Sequence, residues 1–441
     1  MRVWRYILLF CLLIPTGAKS DGKPFDKVKF TFSERFRMVG WDNAIDLNKN
    51  GDMNQHFTRH RTSAGLEWEP NHSLIFHLKL THEFRHYFTP STATFHWNEV
   101  FFDQLYIRYS SQEFLRGSIT FGRQNIFLGE GFVIWDGHPV DGSRSAYFNA
   151  IRYDLDLNAK HKITSFIAYQ PKEDELLPVI NGKDIDPVFQ GDHSYQLIEQ
   201  SEKAVAMYYQ GRLKESEIDL YYIFKSIADD GIQLVPKSDI HTFGSRFRLH
   251  FNPQFSFTVE GAYQTGNIGE ETRTAYSGHA YLTHFYKESK FELPNDISIG
   301  AFLLSGDRTS TDKYEAWEPL FARWPKWSES YIYTSLKENQ GRIAYWSNIL
   351  APNIQGRYQL DNKLSVKLSY FKLLAMEQTL QTEFLSGNGK VRGDLITAQL
   401  NFKINKHLTG HLLYEIFYPG NFYFDLADPY HWARIELLYV L

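Results

Sequence analysis

Arginines two positions apart recur along this sequence, in segments where polar and apolar residues alternate. Arg35 and Arg37 flank Phe36, and the same spacing occurs at Arg59–Arg61 and at Arg246–Arg248. A guanidinium group is a planar, permanently charged donor that matches the geometry of a carboxylate. Because successive side chains of a β-strand point to opposite faces, each pair places two positive charges on one face. These residues predict contact with carboxylate-bearing anions.

The 17 histidines of the chain are candidates for catalytic or metal-binding groups. The sequence has no GxSxG, HExxH or phosphate-loop motif. The pairs His56/His60 and His82/His86 would share one face of a helix, but their segments alternate like strands, where such residues lie too far apart for one metal ion. The sequence therefore predicts no enzyme activity, no metal and no other cofactor. An outer-membrane hydrolase with a site at the barrel rim stays open as an alternative.

The elements that carry these residues are strands joined by connections of two kinds. Period-two alternation, as in Val28–Met38, recurs in roughly eighteen segments. Short turns such as Leu157–Ala159 and Asp361–Asn362 alternate with long loops such as Ile126–Ala146 and Gly306–Gly341. Outer-membrane barrels have short periplasmic turns, long external loops, an apolar lipid face and a polar lumen. The predicted fold class is all-β, a transmembrane antiparallel barrel of about eighteen strands, and the two long loops are expected to fold over or into its mouth.

Composition agrees with a barrel and excludes other classes. Aromatic residues make up 16% of the 441 residues while the mean hydropathy is −0.40, as expected when only alternate residues face lipid. No apolar run is long enough for a membrane-spanning helix. The net charge of −4 excludes a generally basic nucleic-acid binder.

The N-terminus has the pattern of a secretory signal peptide. The apolar run Tyr6–Pro15 follows Arg2 and Arg5, and small residues precede position 21. The predicted organisation is a signal peptide at residues 1–20 and the barrel at residues 21–441. The only cysteine, Cys11, lies in the predicted signal, so the predicted mature chain offers neither a disulfide nor a thiolate ligand.

Several motifs, in a fixed order, resemble those of the alginate export family. They are DQLYIRYS from residue 103, GSITFGRQNIFLGEGFVIWDG from 117, DGSRSAYFNAIRYDLDL from 141, SGDRTSTDKYEAWEPLFARWPKW from 305 and YEIFYPGNFY from 414. The resemblance runs from about Phe30 to Leu441. It implies an eighteen-stranded outer-membrane barrel of a Gram-negative bacterium, whose prototype exports the polyanion alginate through an arginine-rich lumen.

Alternation assigns a set of charged residues to the lumen, where they are expected to line the path of the solute. The set is Lys29, Arg35, Arg37, Arg59, Arg61, Lys79, Arg85, Arg108, Arg123, Arg152, Arg246, Arg248, Glu260, Glu415 and Arg434. Arg123 is irregular, because strict alternation puts it on the lipid face with Ile119 and Phe121. Gly122 would have to mark a bulge that turns it inward; otherwise Arg123 lies near the outer rim.

The predicted function is a passive outer-membrane channel for an anionic polysaccharide, alginate-like polyuronate, or its oligosaccharides. A narrow pore lined by cationic side chains favours anions. A porin for small organic anions or amino acids is the closest alternative, and pairing of the arginines with lumenal acids purely to order the barrel is another reading. The predicted partners are outer-membrane lipid and lipopolysaccharide, the anionic saccharide, and periplasmic secretion or degradation proteins, with no nucleic acid.

Overall fold

The structure of the chain is a computed structural model. It describes residues 27–92, 99–135, 147–179, 198, 200–229, 236–286, 294–322, 327–339, 347–379 and 382–441. The predicted signal peptide, residues 1–20, lies outside the described residues, as does most of the acidic stretch between residues 180 and 199.

Strands make up most of the described chain, which contains one helix, α1 (Tyr331–Glu338). The strands are β1 (Val28–Asp42), β2 (Gln55–Asn71), β3 (Leu74–Thr89), β4 (Glu99–Ser111), β5 (Gly117–Gln124), β6 (Phe148–Asn158), β7 (His161–Gln170), β8 (Glu202–Leu213), β9 (Ser216–Ile227), β10 (Ser238–Asn252), β11 (Phe255–Ile268), β12 (Glu271–Phe285), β13 (Asp296–Leu304), β14 (Lys313–Tyr314), β15 (Ile349–Gln359), β16 (Leu364–Leu374), β17 (Val391–Lys403), β18 (Leu408–Pro419) and β19 (Tyr430–Val440).

The sheet closes on itself, because β1 pairs with β2 on one side and with β19 on the other. The two-residue strand β14 only adds to β12 in parallel, from a loop. The other eighteen strands pair antiparallel with their neighbours around the barrel. The predicted fold class, an eighteen-stranded antiparallel barrel, is confirmed. Within the described residues, no helix combines the length and apolar character needed to span a membrane.

The apolar parity of the strands faces outward. On β8, Val205 and Met207 are 45% and 56% exposed, whereas the intervening Ala204 and Ala206 are 2% and 1% exposed. On β1, Phe30 is 76% exposed. A surface belt of this kind is stable only against lipid, because contiguous apolar patches of this extent are rare on soluble monomers.

The two ends of the barrel differ, as predicted. We call the end with the turns at residues 72–73, 159–160 and 214–215 the turn end, and the opposite end the loop end. One pair of connections departs from the predicted alternation of short and long. At the loop end, β11 and β12 are joined by residues 269–270 alone, with Gly269 at φ +57°, while residues 286–295 form a longer connection at the turn end.

Two loops fold inward from the loop end. The inner loop, residues 125–135, and the helical loop, residues 305–348, meet where Ile134 pairs with Phe321. Lys225 of β9 holds the helical loop, since its ammonium group lies 3.2 Å from Glu318 and 2.9 Å from the carbonyl oxygen of Leu320. The described parts of both loops therefore fill the loop end with an apolar core, as predicted for the long loops.

Candidate solute-binding site in the barrel interior

A cavity of about 810 Å³ lies at the turn end of the barrel. Its walls come from the turns after β4, β6 and β8, from β9 and β10, and from the tip of the inner loop. Six cationic and four acidic side chains line it: Arg116, Lys160, Lys162, Arg212, Arg246 and Arg248, with Glu130, Asp156, Glu217 and Asp219. The volume is within the roughly 300–1,000 Å³ range of ligand pockets, and the surplus of basic groups suits an anion.

The inner loop places one carboxylate among these arginines. Residues Leu128–Gly131 form a tight turn, in which the amide of Gly131 donates to the carbonyl oxygen of Leu128 at 3.0 Å. Gly129 has φ +59°, and a Cβ atom there would lie 2.2 Å from the Tyr208 hydroxyl. Only glycine therefore lets the turn come this close to the wall. Glu130, at the tip, forms an ion pair with Arg248 and lies 3.7 Å from Arg246.

Glu130 remains ionised in this environment. Burial by itself would raise the pKa of its carboxyl group, but contact with His279 and the charges of Arg248 and Arg246 outweigh burial and bring the pKa to about 2. The tip of the inner loop therefore carries a negative charge at physiological pH.

On the opposite side of the barrel, β19 and β1 to β4 hold a dense charged cluster. Five cationic side chains share three carboxylates there: Arg35, Arg37, Arg59, Arg61 and Lys79 contact Glu83, Asp103 and Glu436. Arg59 lies 2.5 Å from Glu83 and is 1% exposed. This wall keeps a surplus of cations, but its arginines are bound to acids, as the alternative reading of the sequence expects.

Glu415 and Arg434 are used by the helical loop. The Glu415 carboxylate accepts hydrogen bonds from the hydroxyl groups of Ser328 and Ser330 and from the amides of Glu329 and Ser330. Arg434 donates to Glu329 at 3.0 Å. Glu415, which the sequence predicts to line the solute path, is 1% exposed and fixes the residues just before α1.

Arg123 points inward although strict alternation would place it outside. Gly122 has φ +122°, while the pairing on both sides of β5 keeps its register, so a twisted glycine rather than an inserted residue turns the chain. Arg123 forms a bidentate pair with Asp174, at 2.6 and 3.1 Å, and lies over the Tyr147 ring. Both charged side chains are 0% exposed, so Arg123 is a structural residue.

The remaining predicted residues have different surroundings. Arg108, Arg152 and Glu260 lie on the inner face of their strands, bonded respectively to Thr120 at 3.2 Å, Asp154 at 2.9 Å and Tyr221 at 3.0 Å. Arg85 contacts the Tyr87 hydroxyl at 3.2 Å and the Phe57 ring at 5.1 Å. Lys29 lies at the turn end, exposed, 3.2 Å from Glu67 and from Glu69.

Sequence reasoning missed the cavity's turn residues and Glu130, the acid at the tip of the inner loop. Arg116, Lys160 and Arg212 lie in or next to turns, where alternation has ended and cannot assign a face. Glu130 stands between two glycines, and that pattern could have suggested a tight, inserted tip. Among the described residues, no group of three His, Cys, Asp or Glu side chains is placed to hold a metal ion.

Comparisons with known proteins agree on architecture. The family model described as alginate export matches residues 26–431. Among curated proteins, none shows a significant match to this sequence.

Solved porins share the fold at low sequence identity. OccK11 (OpdR) of Pseudomonas aeruginosa is 10% identical, with a TM-score of 0.58 over 94% of this chain and 96% of its own. OccAB2 of Acinetobacter baumannii is 10% identical, with a TM-score of 0.59 over 96% and 99%. OccK2 (OpdF) of P. aeruginosa, solved in complex with glucuronate, is 11% identical, with a TM-score of 0.56 over 96% and 99%. At this identity the likeness concerns the fold.

Proposed function

Because the chain belongs to the alginate export family, we propose that it conducts an anionic polysaccharide of the alginate-like, polyuronate type, or its oligosaccharides, passively through its lumen. An outer-membrane channel in a Gram-negative bacterium, rather than an enzyme, is what the family and the fold support. The choice of solute is our proposal.

The observation that carries this proposal is the cationic surplus of the turn-end cavity, six basic against four acidic side chains. Low-dielectric walls focus the field of lining charges and raise the local concentration of the opposite charge. A polyuronate brings one carboxylate per sugar, and spread-out single charges bind each one weakly enough to let it move on. The glucuronate complex of OccK2 shows that a barrel of this architecture accepts a uronate.

A porin for small organic anions or amino acids is the second candidate, favoured by the filled loop end. The inner and helical loops occupy much of the interior there, which leaves less room for a polymer than for a single acid. Liposome uptake of glucuronate compared with oligouronates of increasing length separates the two functions. Uptake that stops at the monomer would favour the small-anion porin.

Anion selectivity tests the proposal directly. Arg59 and Arg61 are poor targets, because reversing their charge would place two more carboxylates beside the buried Glu83. Lys160 and Arg212 are exposed at the cavity rim, so K160E combined with R212E should shift the reversal potential in planar bilayers away from anion preference. High salt should reduce the shift, since these charges are screened.

The matched control is K363E, an exposed lysine in another turn of the same end that does not line the cavity. It should leave the reversal potential unchanged. A wild-type pore that prefers cations at low salt would contradict the proposed function.

A further inference from the structure

Arg246 is held by three carboxylates, but only two of them are well placed. Its Nε donates to Asp219 at 2.7 Å and one terminal nitrogen, Nη2, donates to Glu217 at 3.0 Å. Both acids lie on strand β9, so they are fixed parts of the wall. The other terminal nitrogen, Nη1, faces Glu130 at 3.7 Å, beyond hydrogen-bond distance.

A second polar atom at the same place is also left without a hydrogen bond. His279 Nε2 lies 3.6 Å from the Glu130 carboxylate. Within the described part of the chain, neither His279 Nε2 nor Arg246 Nη1 makes a hydrogen bond, although both atoms are buried. Buried donors are nearly always satisfied, and leaving one unmet is unfavourable. A carboxylate that could move closer to Arg246 and His279 would therefore satisfy this pocket better than the Glu130 carboxylate does.

Glu130 is carried by the inner loop rather than by a strand of the barrel wall. Glu130 sits between Gly129 and Gly131, with φ +59° and +73°, at the tip of the turn that projects into the cavity. Its firm contact is with Arg248, whose side chain is 34% exposed to the cavity. Moving this tip separates Glu130 from Arg248 and from its longer contacts with Arg246 and His279, and leaves the strand-borne contacts of Arg246 in place.

We propose that Glu130 is a tethered stand-in for the solute: it occupies the binding position for a uronate carboxylate on Arg246, Arg248 and His279, and the solute binds by displacing it. This inference rests on the proposed anionic solute. Glu130 neutralises the positive groups while no solute is bound. Binding is weak and reversible, because every incoming carboxylate competes with this internal one. Glu130 thereby sets the affinity of the site.

The test is block of single-channel current by glucuronate, measured in planar bilayers for wild type and E130Q. Glutamine keeps the shape of the side chain but removes the competing charge, so half-block should occur at a glucuronate concentration lower by about tenfold. The control is E315Q, the same change in another loop carboxylate. Glu315 pairs with Arg308 at a distance of 2.6 Å and does not line the cavity. E315Q should block like wild type.

If E130Q does not fold, E130D serves instead, because the shorter acid cannot reach Arg248 as well and should also lower the blocking concentration. If a folded variant is half-blocked at the same glucuronate concentration as wild type, the stand-in role of Glu130 is overturned, while the proposed anion channel is unaffected. Absence of both block and anion preference in wild type would instead refute the proposed function.

Discussion

At the scale of single residues, the burial of each arginine and its partner distinguishes structural arginines from those that face the solute. Arg123 and Asp174 are both 0% exposed and bonded twice to each other, whereas Arg248 keeps a third of its side chain in the cavity. A buried ion pair must stay intact, because removing either partner leaves a buried charge without compensation, which is strongly destabilising. Exposed rim charges remain available to a solute.

The Arg123 pair makes a stability prediction. D174N should destabilise the barrel by about 3–5 kcal/mol, because it leaves the buried guanidinium group without a counter-charge. Urea unfolding of protein refolded into phospholipid vesicles, followed by tryptophan fluorescence, measures this.

E175Q is the matched control, because Glu175 is the exposed neighbour of Asp174. It should unfold like wild type. Equal stability of D174N and E175Q would show that the Arg123 contact is not needed for folding.

At the scale of elements, the helical loop is fastened inside the barrel at both ends of α1. Glu415 of β18 receives four hydrogen bonds from residues just before the helix. At its end, Glu338 accepts from Arg392 at 2.6 Å and from the Tyr423 hydroxyl at 2.7 Å. Halfway along, Tyr333 stacks on Trp41 with ring centroids 4.3 Å apart. The helix is thus a built part of the interior.

Releasing the front of α1 should open the loop end. E415A removes the shared acceptor of Ser328 and Ser330, so we expect larger and noisier single-channel conductance at unchanged barrel content by circular dichroism. E383A, an exposed acid of another loop at the same end, should conduct like wild type. Unchanged conductance in folded E415A would mean that α1 lies outside the conducting path.

At the scale of the whole molecule, stability depends on lipid outside and polar pairing inside. The outward residues of β8 show this as a regular row, from Val205 through Met207 to Leu213. Hydrocarbon cannot solvate a charge or an unpaired backbone group, which is why the barrel must close and why apolar side chains dominate this face.

This predicts a depth-dependent cost for charge on the outer face. M207R, at the middle of β8, should destabilise the protein by about 2–4 kcal/mol, and L213R, at the end of the strand, by about 0–1 kcal/mol. Equilibrium unfolding from vesicles compares the two variants. Equal costs would mean that β8 does not cross the bilayer with its centre near Met207.

The sequence by itself determined the barrel. Period-two alternation assigns a face to every residue between Val28 and Met38, because it depends only on neighbouring residues. The order of the motifs indicates the family, because it is read directly along the chain. The resemblance to the alginate export family is confirmed by the match over residues 26–431. Alternation misassigns Arg123, because the backbone at Gly122 leaves the strand conformation.

Only the tertiary structure decided which lumenal charges are matched. Asp174, Glu130 and Glu318 reach Arg123, Arg248 and Lys225 from loops, over 51, 118 and 93 positions of sequence. A loop carries no periodic signal, and where its tip lies depends on how it packs with other loops across the barrel. The sequence therefore shows that arginines line the interior, while the folded loops determine which of them a solute can meet.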